Sequence, residues 1–176
     1  VRFFPEKAPW DFDLQNKQAA YNWLENQGKD NNGALLEKEI LFIDNTEILK
    51  AIFKYPMLIP NSMGMYYLGL LFLSFKDFYY QINIEAAELD PIGLREAVVS
   101  MLEGPKIDVT KVEPIQVSST QELFEKMKQA RAQAEVLPSD DEKYDAGFPD
   151  HPLTKVRGMQ KRICETLKIH KKLLDN

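Results

Sequence analysis

Chemistry by a protein requires particular residue types within reach of one another, and this chain offers few. A metal site would have to draw on two histidines, His151 and His170, and one cysteine, Cys164. HExxH, paired CxxC and EF-hand spacings, the patterns that bring ligands onto one helix face or one loop, are absent. The densest remaining set is Asp140, Asp141, Glu142, Asp145, Asp150 and His151, whose oxygens and single imidazole could hold a hard cation. The plainer reading is a solvated acidic loop, with His151 before Pro152 as a helix-entry residue, and on that reading no metal is expected.

A nucleophile needs a base at hand. The GxSxG elbow is missing, and Cys164 lies six positions from His170, which turns the two to different sides of a helix. Lys161 and Lys168 lie about one turn either side of Cys164 and could favour its thiolate, although a lone cysteine beside an apolar stripe also reads as packing. Paired carboxylates could come from Glu85, Glu88 and Asp90, where a strand hands over to a helix, or from Glu96 and Glu103. The helix dipole favours acids at a helix start without any catalysis. Gly64, Gly69, Gly93 and Gly104 are isolated and make no phosphate-binding loop. No catalytic residue and no cofactor is therefore assigned.

Two features suit binding instead. Tyr66, Tyr67, Tyr79 and Tyr80, with Trp10 and Trp23, could line a shallow partner surface, since aromatics concentrate at binding hot spots. The final helix gathers Lys155, Arg157, Lys161, Arg162, Lys168, Lys171 and Lys172 on a chain of net charge -5. The alternatives are tyrosines covered by the chain's own helices and a solvated basic face. Tyr66, Tyr79, Arg157, Lys161 and Arg162 are the candidate binding residues. In Tyr144 to Gly158, Phe148 and Leu153 read as anchors, and Arg157 can pair with Asp145 or Asp150.

The element that must position all of these is the stretch Met65 to Glu88. With Lys76 and Asp77 as the turn, Phe75 faces Phe78, Leu73 faces Tyr80, Leu71 faces Ile82, Gly69 faces Ile84 and Tyr67 faces Ala86, all on one apolar side. The opposite side pairs Ser74 with Tyr79, Phe72 with Gln81, Leu70 with Asn83 and Leu68 with Glu85, so it turns polar on the second strand. Before it, Val1 to Asp13 reads as an extended aromatic arm laid on the sheet, broken by Pro5 and Pro9. Asp13 is placed to cap a helix over about 14–27 that Gly28 ends. Leu35–Ile43 and Glu47–Tyr55 read as strands joined by a turn at Asp44 to Thr46, although Ile48, Ala51, Ile52 and Tyr55 also fit the period of a short helix.

After the hairpin, Asp90 and Pro91 open a helix over 91–103, with Leu94, Val98, Met101 and Leu102 as its buried face. Lys106 to Val117 reads as one or two short edge strands around Pro114. Ser119 and Glu122 form a capping box for a helix over 119–135, with Leu123, Met127, Ala130 and Ala134 on its period. A last helix over 153–174 carries Val156, Met159, Ile163, Leu167, His170 and Leu174 as a stripe. Strands followed by helices give an α+β fold with an antiparallel sheet, and 176 residues suit a single domain.

Composition narrows the function. A hydrophobic fraction of 44% and a charged fraction of 28% are those of a soluble globular chain, and the acidic balance disfavours nucleic acid. The uncharged interval between Lys54 and Lys76 is broken by Pro56 and Pro60 and falls short of a membrane span. The start, VRFFPEKAPWDFD, has no leader pattern, and the lone cysteine fits a cytoplasmic, reducing setting. The expectation is a non-enzymatic domain that engages a protein partner through the sheet face or the C-terminal helix. The alternatives are a hydrolase or small-ligand protein using acids at the end of the hairpin, or weak nucleic-acid binding by the basic helix.

Overall fold

A strand that is apolar on both sides needs cover on both sides, and that requirement sets the architecture. The computed structural model describes residues 1–59, 62–89, 91–104, 119–130 and 132–173. Five strands, β1 (Arg2–Phe4), β2 (Ala34–Ile43), β3 (Thr46–Pro56), β4 (Met65–Ser74) and β5 (Tyr79–Ala87), form an antiparallel sheet in the order β1-β5-β4-β3-β2. Helices α1 (Lys17–Asp30), α2 (Leu94–Glu103), α3 (Thr120–Ala130) and α4 (Pro152–Thr166) complete an α+β fold. Short 3-10 turns run over Pro138–Asp140 and Glu142–Gly147. None of the helices described is long and apolar enough to cross a membrane.

The hairpin register is the one its alternation implies. Leu73 pairs with Tyr80, Leu71 with Ile82, Gly69 with Ile84 and Tyr67 with Ala86, and the Phe75 amide closes the turn onto the Phe78 carbonyl at 3.0 Å. The β2–β3 turn is tight because Asp44 and Asn45 both take positive φ, 47° and 63°, which these two residue types tolerate. The aromatic arm lies on the sheet as expected: β1 extends it beside β5, and Phe4 stacks on Tyr79 with ring centroids 4.4 Å apart.

One face of the sheet, with Leu49, Ala51, Phe53, Leu70 and Phe72, packs under Ala20 and Leu24 of α1. The other, with Ile52, Tyr67, Leu71 and Ile82, packs under Leu153, Val156 and Ile169. Here α4 sits very close to β4. A Cβ on Gly69 would lie 2.8 Å from Val156 Cγ1, and the fully buried Gln160 side chain donates from Nε2 to the carbonyls of Ala51 and Leu70, at 3.1 and 3.0 Å.

Several expected boundaries move. α1 begins at Lys17 because Asn16, not Asp13, accepts the capping bond from the Ala19 amide, and it continues past Gly28 to Asp30. Asp13 instead accepts from the Gln15 amide in the turn before it. α2 starts at Leu94 after Gly93, whose φ of 74° is left-handed; Asp90 lies outside the described residues. Its buried side is Arg95 and Val99, while Leu94, Met101 and Leu102 are exposed, because the buried guanidinium, not the aliphatic stripe, has partners to reach. α3 keeps its cap, the Glu122 amide donating to Ser119 Oγ at 3.1 Å, but ends at Ala130. The short strands expected over Lys106 to Val117 lie outside the described residues, as does Leu174. α4 stops at Thr166, and its buried stripe runs through Gln160, leaving Met159 about half exposed.

Replacing Gly69 with alanine drives a methyl into Val156 across a packed helix–sheet contact. The expected loss is about 1–3 kcal/mol, seen as a lower urea midpoint with an unchanged slope. A wild-type midpoint would show that α4 does not rest on that glycine.

Candidate functional site

The two sheet faces present different chemistry. On the α1 face the helix lies mainly over β2 and β3, leaving beside it an open trough of about 1000 Å³. Its floor and walls are Tyr55, Tyr66, Leu68, Leu70 and Phe72, with Trp23 and Gln27 of α1 on one side and Met57, Leu58 and Ile59 on another. Leu58 is 99% exposed and Ile59 57%, so the lip of the trough is apolar and open to water. Its polar side chains are Gln27, Asp30, Asn31, Asn32 and Gln81, with the hydroxyls of Tyr55 and Tyr66.

On the α4 face the residues with chemical potential are buried. Lys54, near the end of β3, is 1% exposed and bonds Asp140 at 2.5 Å; Asp140 also accepts from the Leu137 amide at 2.8 Å. Arg95, also 1% exposed, donates from Nε to the Ser139 carbonyl at 2.6 Å and from Nη2 to the Asp141 carbonyl at 3.0 Å. It also meets the Asp145 carboxylate at 2.8 Å and lies over the Phe148 ring. Arg157 binds Glu37, the Asp140 carbonyl at 2.6 Å and the same Asp145 oxygen at 2.8 Å. The expected Arg157–Asp145 pair therefore forms, while Asp150 pairs with Lys155. Two arginines and one lysine hold the 137–147 loop against the body.

Beside this network, Glu88, Glu96 and His151 converge, each offering a donor atom within 4.8 Å of the others. Glu88 follows β5 and stitches two backbones, accepting from Met65 N at 3.2 Å and Gly93 N at 2.6 Å. Glu96 comes from the first turn of α2, and His151 is the N-cap of α4, where Nδ1 accepts from the Leu153 amide at 3.2 Å. The Tyr67 ring packs edge-on to the imidazole, centroids 5.4 Å apart. Burial, and then the nearby Arg95 charge, pushes the His151 pKa down to about 4, so the ring is neutral at neutral pH. Burial, reinforced by the charges of Glu96 and Asp140, pushes the Tyr67 phenol far above its usual range.

The residues read as candidates from sequence are scattered. Tyr66 lines the open trough. Burial first, then its bond to Glu85, raises its phenol pKa. Tyr79 is 5% exposed beneath Phe4 and is covered by the chain's own arm. Arg157 is committed to its ion pairs, whereas Lys161 and Arg162 point outward from α4, Lys161 beside a smaller cleft along β2. Of the expected carboxylate sets, Asp90 lies outside the described residues, Glu85 is exposed on β5 while Glu88 just beyond it is buried, and Glu103 is taken by Lys143 and Tyr144. Burial pushes the Cys164 thiol up, so its lysine neighbours do not make it a ready thiolate.

Sequence reasoning missed Lys54, Arg95 and the meeting of Glu96 with His151. The signal for the first was weak, a lysine among Ala51, Ile52, Phe53 and Tyr55. No protein-family model, no curated protein and no solved structure matches the chain.

The Lys54–Asp140 pair gives a clean test of this buried electrostatics. Lys54→Met leaves Asp140 buried without its cation and is expected to destabilise by about 3–5 kcal/mol, whereas Lys54→Met with Asp140→Asn recovers most of the loss. Denaturation of the two variants checks this; equal destabilisation would show that the lysine matters only for packing.

Proposed function

We propose that this chain is a non-enzymatic binding protein that takes an uncharged, apolar segment of a protein partner into the trough on the α1 face of the sheet. The observation that carries the reading is the trough itself: an aromatic and aliphatic floor beside α1, with Leu58 and Ile59 exposed at its lip. Its volume of about 1000 Å³ lies at the upper end of ordinary ligand pockets, and its open shape suits a side-chain-bearing segment better than an enclosed small molecule. The few amides along it supply hydrogen bonds to a backbone without demanding charge. Tyr66 is the aromatic anchor in this reading, in keeping with the role of tyrosine at interfaces.

A hydrolase working with paired carboxylates finds only Asp30 among the acids lining the trough, since Glu88 is buried and Glu85, near Tyr66, does not line it. Of the C-terminal helix, Lys161 and Arg162 remain as outlying contacts, since Arg157 is engaged internally. A cytoplasmic setting belongs to the same reading, supported by the single cysteine.

Selection of a displayed random-peptide library on the full chain tests it. Enriched peptides are expected to be apolar and to bind the double variant Leu58→Asp, Ile59→Asp at least ~10-fold more weakly, because charge at the lip opposes desolvation. Both positions are exposed, so the fold is unaffected. No enrichment, or peptides that bind the variant as well as the wild type, overturns the reading.

A further inference from the structure

The trough makes no use of the buried niche on the opposite face. In it, three polar atoms are walled off from solvent and have no hydrogen-bond partner among the described residues: Tyr67 OH, Glu96 Oε2 and His151 Nε2. A buried polar group left unpaired costs about 1–3 kcal/mol, and such atoms do not gather in one place without reason. Tyr67 is itself fully buried, and its phenol lies within electrostatic reach of both Glu96 and Glu88.

We propose that this niche is a site for one divalent cation of the zinc type, held by the carboxylates of Glu88 and Glu96 and by the imidazole of His151, with the Tyr67 hydroxyl facing it. Donor atoms within 4.8 Å of one another close onto a common ion, with bonds of ~2.0–2.2 Å, after side-chain shifts of no more than ~0.7 Å. Both carboxylate oxygens of Glu88 accept backbone N–H groups, and an oxygen that accepts a hydrogen bond can also coordinate a metal. One nitrogen with two or three oxygens is a borderline donor set. It favours a first-row transition cation over magnesium or calcium, which take oxygen alone. The neighbouring cations do not compete for the site, because Lys54, Arg95 and Arg157 are held on Asp140, Asp145 and Glu37.

The ligands come from the end of β5, from α2 and from the cap of α4, so the ion would tie three elements together over Tyr67 of β4. The role is structural, since neither the trough nor the cleft along β2 is lined by these residues. Loading has one internal consequence. Nδ1 of His151 now accepts the Leu153 amide, which leaves the ring proton on Nε2; a metal at Nε2 requires that proton on Nδ1, so binding releases the Leu153 amide from its cap.

The test uses the full chain, stripped with a chelator and titrated with Zn²⁺ alone. One equivalent is expected to bind in preference to Mg²⁺, raising Tm and shifting the Leu153 amide resonance. Glu96→Gln, and His151→Asn, which keeps a capping oxygen, should each weaken binding by at least ~10-fold. His170→Gln should leave it unchanged, His170 being exposed and remote in sequence from the niche. No uptake, uptake insensitive to both ligand variants, or uptake lost with His170 overturns the proposal. The stoichiometry and the Leu153 shift are read on the unaltered chain, so they decide the matter even if a variant does not fold.

Discussion

Everything on the α4 face depends on how near that helix comes to β4. Gly69 removes the side chain that would hold it off, and Gln160 fixes it along the strands by donating to carbonyls on both β3 and β4. An amide in this position does what an aliphatic residue cannot: it ties the helix to one register on the sheet, not merely to an oily surface. With α4 held there, His151 at its N-terminus falls over Tyr67, and Arg157 one turn beyond Leu153 reaches Glu37 on β2 and Asp145 in the loop.

The hairpin was legible because two independent patterns agreed, the alternation of its side chains and the Lys76–Asp77 turn, and only one register satisfies both. α2 was legible as a helix, but its buried side was not. Its aliphatic residues outnumber its one arginine, yet burial went to Arg95, whose guanidinium has a set of loop carbonyls and a carboxylate waiting. Apolar periodicity cannot register a partner supplied some 44 positions later in the chain. Met159 and Gln160 were exchanged in the same way, because a buried amide with two strand carbonyls to bond looks, in sequence, like a solvent-facing residue.

Glu88, Glu96 and His151 were each legible as chemically capable, but in three different groupings: the end of the hairpin, the following helix and the acidic loop. Nothing in their spacing says that three elements meet. Lys54 was hidden for a related reason. A lysine in an alternating strand reads as the solvent side, and only the loop carrying Asp140 makes its burial tolerable. Both faces of the sheet are apolar, but the face under α4 also carries a buried ion pair, while the aromatic and aliphatic face is the one left partly open.

The two margins of the sheet have a consequence of their own. β1 is only three residues long, and β2 carries a bulge between Leu35 and Glu37 followed by Glu37, Lys38 and Glu39. A short border at one side and a kinked, charged one at the other are poor templates for backbone annealing. Copies of this chain are thus discouraged from zipping into ribbons along β1 or β2.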